Sequence, residues 1–104
     1  MATGIIKVDY GTITGGGGFN VLYSDTPTIP ARGTYDLGIK SDAFVTYAYN
    51  ANGADQSISQ YENGTMTVIA PNNQYTFSIL SNGNIAITSP FNSAIATTVY
   101  VWGQ

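Results

Sequence analysis

The chain reads as an all-β protein: one antiparallel β-sandwich of about eight or nine short strands. Three observations predict this. The first is composition. Val, Ile, Thr and Tyr are plentiful, Leu occurs only at positions 22, 37 and 80, and there are twelve Gly in 104 residues. β-Branched and aromatic side chains suit a pleated surface, whereas glycine weakens a helix. The second is the stretch from Gln74 to Thr88, QYTFSILSNGNIAIT. Tyr75, Phe77 and Ile79 alternate with Thr76 and Ser78, and Ile85 and Ile87 alternate with Ala86 and Thr88. Asn82-Gly83 lies between the two runs. An Asn-Gly pair tolerates the positive φ angles of a type I′ turn, so the stretch predicts a β-hairpin with one apolar face. The third is that turn signals recur at short spacing, with no segment long enough for a helix. The length allows a single domain over residues 1–104, and 43% hydrophobic content is enough to fill one modest core.

Taken in order, Gly4 to Thr14 is a first strand with Ile6, Val8 and Tyr10 on one face. Gly15 to Gly18 is a hinge or wide loop. A phosphate-binding loop needs a following Lys-Ser/Thr and a helix, and Phe19-Asn20-Val21 offers neither. Phe19 to Tyr23 is a short strand. Ser24 to Gly33, with Pro27 and Pro30 around Ile29, is loop or edge, because proline removes backbone donors. Thr34 to Ile39 is a strand, and Lys40-Ser41-Asp42 a turn. Ala43 to Asn50 is a strand apolar on both faces, which predicts a central position or a partner on one side. Residues 50–55 form a loop, and Gln56 to Tyr61 a polar strand. Glu62-Asn63-Gly64-Thr65 repeats the hairpin signal and leads into Met66 to Ala70; Pro71-Asn72-Asn73 is a turn. The Asn63-Gly64-Thr65 sequon is accounted for by that hairpin. Ser89 to Ser93, containing Phe91, is a loop. Ala94 to Trp102 is the last strand, with Ile95, Thr97, Val99 and Val101 opposite Ala96, Thr98, Tyr100 and Trp102.

The same residues limit the chemistry. The chain has no Cys and no His, which removes the strongest nucleophile, the commonest general base, and the usual zinc and copper ligands. The six acids fall mainly in turns and on polar strand faces, so a non-enzymatic role without a cofactor is expected. Asn50, Asn52 and Asp55 around Gly53 echo a calcium loop, but one carboxylate is too few and a plain turn wants the same residues. No metal site is expected. A net charge of −3 with only Lys7, Arg32 and Lys40 as bases argues against nucleic acid and anionic membranes. No segment has the length of an apolar span, and the N-terminus lacks a signal-peptide pattern.

What remains is a surface for binding. Interfaces favour Tyr and Trp and exclude charge from their centre. The candidate partner-binding residues are therefore Tyr100 and Trp102, with Pro27, Ile29 and Pro30 of the 24–33 segment and Phe91. An N-terminal arm at Met1 to Gly4 is a further candidate. Exposed sheet edges with few Lys to guard them point to a homo-oligomer, for instance a trimer. Eight Tyr, one Trp and many Asn also fit a lectin-like module, with sugars stacked on aromatic rings. A bacterial or designed sandwich without a ligand is the third reading.

The absence of Cys and His, the glycine run at 15–18, the short Thr- and Asn-rich strands and the aromatic strand from Thr97 to Gln104 carry a likeness of style. In these the whole chain resembles small virion proteins of tailed bacteriophages, namely capsid decoration (cement) proteins and the compact heads of short fibres. The start at Met1 suits a small gene product of the decoration type. The resemblance implies a jelly-roll-like, oligomeric sandwich that binds a capsid and stiffens it. It also implies location in the virion after assembly in the host cytoplasm.

Overall fold

The computed structural model describes residues 19–50, 56–69 and 75–104. The strand expected at Gly4 to Thr14, the glycine run, the calcium-like loop beyond Asn50 and the Pro71 turn lie outside them. Nine strands form among the described residues: β1 (Asn20–Asp25), β2 (Thr28–Ile29), β3 (Thr34–Asp36), β4 (Phe44–Asn50), β5 (Gln56–Glu62), β6 (Thr65–Val68), β7 (Thr76–Ile79), β8 (Ile85–Thr88) and β9 (Ile95–Gly103). They make two antiparallel sheets, the all-β sandwich that the composition predicts. The large sheet runs β1-β9-β4-β5-β6, with β2 also on β9, and the small sheet runs β3-β8-β7.

β9 is the hub of the large sheet. One side pairs with β4 from Thr97 to Gly103, and the other takes β1 and then β2. The segment expected to be loop from Ser24 to Gly33 is thus partly strand. Ser24 and Asp25 belong to β1, and Thr28 and Ile29 pair with Ala96 and Ile95. Pro27 lacks an N–H, but its carbonyl accepts the Thr97 N–H at 2.9 Å, so it does not break the lane.

The core lies between the sheets. Phe44, Ala48, Val99 and Val101 face it from the large sheet, and Phe77, Ile85 and Ile87 from the small one, with Tyr75 beside them; all are buried. β5 is polar in sequence yet contributes two buried positions, Ser57 and Ser59. The Ser57 hydroxyl accepts the Tyr75 N–H at 2.8 Å, and the Thr46 hydroxyl accepts the Ser59 N–H at 3.2 Å. The Tyr75 hydroxyl bonds that of Thr97 at 3.0 Å, so this ring is buried with its polar end satisfied.

The two Asn-Gly turns differ. At β5–β6, Asn63 (φ 55°) and Gly64 (φ 79°) are both left-handed, as a two-residue type I′ hairpin requires. At β7–β8 only Gly83 is left-handed (φ 90°). Its N–H donates to Leu80 O at 2.8 Å, and the Leu80 N–H donates to Asn84 O at 2.9 Å. This is a three-residue loop in place of the expected type I′ turn. Within this loop the Asn82 side chain accepts the Asn84 N–H at 2.8 Å. Around it, Asp36 accepts from the Gly38 N–H at 2.7 Å and from the Asn84 carboxamide at 3.0 Å, while Lys40 Nζ donates to Asn84 Oδ1 at 2.7 Å. The turn is fastened to the end of β3.

Candidate functional site

Strand alternation places Val45, Tyr47 and Tyr49 of β4 and Thr98, Tyr100 and Trp102 of β9 on the outer face of the large sheet. All six are half-buried, while their inward neighbours are buried. Register brings the aromatics together: Tyr47 lies opposite Tyr100, and Val45 opposite Trp102. The rings form a continuous ladder. Tyr49 meets Tyr47 at 5.3 Å between centroids, Tyr47 meets Tyr100 at 6.4 Å, and Tyr100 meets Trp102 at 5.6 Å, the last two pairs nearly parallel. Trp102 ends the ladder, in ring contact with Tyr100.

The same face continues across β5 and β6. Gln60 pairs with Val45 on one side and Thr67 on the other, and Glu62 pairs with Thr65. A shallow groove of about 220 Å³ is lined by Gln60, Glu62, Asn63, Thr65 and Thr67. Gln60 Nε2 donates to Glu62 Oε1 at 3.1 Å along β5. The two described bases are engaged elsewhere, Arg32 Nε on Asn92 Oδ1 at 2.8 Å and Lys40 on Asn84.

The other residues singled out in the sequence sit apart from this face. Ile29 is fully buried in the core, so it is corrected from contact residue to core residue: as part of β2 it faces inward. Phe91 is half-buried and meets Tyr75 edge-on at 5.5 Å, closing the end of the core. Pro30 is exposed, Pro27 half-buried. Their loop is tied to the 89–93 loop by the Arg32 N–H bond to Phe91 O at 2.8 Å. From Ala96, opposite β2, to Trp102 is roughly 20 Å along β9, so these loops and the end of the ladder form no common site.

Sequence reasoning did not single out Val21 (57% exposed), Ile69 (52%) or Val68 (47%). They lie on or beside the outermost strands of the large sheet, and strand alternation does not tell an edge from a centre. Among the described residues no group of three His, Cys, Asp or Glu gathers to hold a metal. Among the described residues, the surroundings of two side chains shift their pKa. The Tyr23 hydroxyl is pushed up to about 12, first by burial and then by Tyr35 and Asp25. The exposed Asp36 carboxyl is lowered, first by its bond from Gly38 N–H. No helix is long and apolar enough to cross a membrane among the described residues. No family model, curated protein or solved structure matches the chain.

Proposed function

We propose that the chain is a non-enzymatic structural protein of a virion, which assembles with copies of itself and adds to a protein shell. The observation that carries this reading is the open β6 edge of the large sheet, with the less open β1 edge opposite it. β1 and β6 each have a strand partner on one side only among the described residues. Val21, Val68 and Ile69 leave about half their surface exposed there; β6 contains no charge and no Pro, whereas β1 has a bulge between Val21 and Tyr23 and ends on Asp25, so β6 is the less guarded edge. Edges without such guards pair with other chains, and closed assembly covers them. The virion setting, with assembly in the host cytoplasm, rests on the resemblance in composition and texture. The mechanism is added contact area across subunits.

Light scattering over a range of concentrations tests the reading. The expected result is a trimer or larger closed assembly, shifted to smaller mass by Val68→Lys or Ile69→Lys. A concentration-independent monomer that also fails to sediment with phage shells overturns it.

A further inference from the structure

We infer that the outer face of the large sheet binds a neutral oligosaccharide, with one sugar ring at Trp102 and the next units in the β5–β6 groove. The groove shares β6 with an edge proposed for assembly, and Val21 of β1 lies opposite Trp102, but Thr65 and Thr67 face outward with Glu62 and Gln60, whereas Val68 pairs with Ser59 on the other face. Two independent features meet on one face. The first is an aromatic ladder whose terminal ring, Trp102, has one ring neighbour among the described residues, Tyr100. The tyrosines behind it pack on one another and hold it in place. A sugar presents an apolar C–H face that stacks on such a ring. The second is the groove, where an amide, a carboxylate and two threonine hydroxyls converge with Asn63 at the rim. These groups offer both donors and acceptors to hydroxyls, with Gln60 Nε2 and Glu62 Oε1 bonded to each other.

Size and charge select the ligand. At about 220 Å³ the groove is smaller than the ~300–1,000 Å³ that enclose a drug-sized molecule, so it holds about one ring-sized unit. Gln60 and Trp102 are separated by β4, two strand spacings or roughly 10 Å between backbones, a span that a chain of units covers. The groove's one formal charge is the Glu62 carboxylate, and the described cations are bonded elsewhere. That field repels sialylated, sulfated and phosphorylated ligands and leaves neutral ones.

The chain carries its own reporter, because Trp102 is its single tryptophan. The experiment titrates the whole protein with neutral cello-, malto-, chito- and galacto-tetrasaccharides and their monosaccharides, reading tryptophan emission. The expected result is a saturable emission change with at least one tetrasaccharide and a much weaker response to its monosaccharide. Thr67→Ala and Gln60→Ala, both at the surface hairpin, should each weaken binding about three- to tenfold, the size of one or two hydrogen bonds. Val68→Lys should change the assembly mass and leave sugar binding intact, which separates this site from the edges. The inference is overturned if every neutral tetrasaccharide is silent at its solubility limit. It is equally overturned if binding leaves Trp102 emission unchanged, if both groove variants bind normally, or if only anionic glycans or a protein partner engage the face.

Discussion

The two faces of β4 and β9 are made by alternate residues of the same two strands, and they do opposite things. Inward, Phe44, Ala48, Val99 and Val101 are sealed against the small sheet. Outward, Tyr47, Tyr49, Tyr100 and Trp102 remain partly open and satisfy one another through ring contacts. Both faces are apolar, so apolarity alone does not mark a core. The difference lies in shape and polarity. The inner side chains are compact or fully enclosed, whereas the outer ones are amphipathic rings that tolerate one wet end. A face of that kind leaves each ring a polar end for water.

The largest expected effect tests the inner face. Phe44→Ala removes a fully buried ring stacked at 5.1 Å on Tyr61 and should cost about 3–5 kcal/mol in a denaturant titration. The outer face should respond far less: Trp102→Ala should cost about 1–2 kcal/mol, since its ring is half-buried and loses one aromatic contact. Equal losses at the two positions would abolish the distinction between the faces. Ser59 sharpens the comparison from inside. Its hydroxyl is buried without a hydrogen-bond partner, so Ser59→Ala should leave the melting temperature unchanged or raise it, the change lying within about 1 kcal/mol.

Titration gives the smallest effects. Tyr23 packs against the core from the rim of the inner face, and its raised pKa means the folded state holds the phenol proton more tightly. Its contribution is therefore full below pH 10 and should be lost between pH 10 and about 12, seen as a falling melting temperature. Asp36 has the opposite sign. Its carboxylate is favoured by folding, so its contribution is present above the ordinary value of 3.8 and should fade as pH drops below that. Asp36→Asn should flatten the acid limb and leave the alkaline limb unchanged.

Most of the fold was legible in the sequence because alternation is a direct consequence of the pleat. The strands at 44–50, 76–79, 85–88 and 95–103 follow it closely. The β5–β6 turn was legible for the same reason: its Asn-Gly pair acts locally. The β7–β8 pair was misread because Asn82, Asn84 and Asp36 bond to one another across sequence, and that contest between side chains is invisible in a dipeptide. Ile29 was misplaced because two prolines mark the segment as irregular, while Pro27 needs only its carbonyl to join the lane beside β9. Tyr100 and Trp102 were placed on one face by alternation. Their union with Tyr47 depended on register between β4 and β9, which a single strand does not encode.

The position of β9 in the chain has a consequence for how the protein is made. It lies between β4 and the β1–β2 lane, and it follows every other described strand in sequence. During synthesis β1, β2 and β4 therefore emerge without the strand that joins them, and the large sheet closes only once residues 95–103 have left the ribosome. Closure is a late, non-local event, of the kind that makes β-sandwiches slow to fold. Until then β4 lacks the neighbour that fills its edge from Phe44 to Asn50.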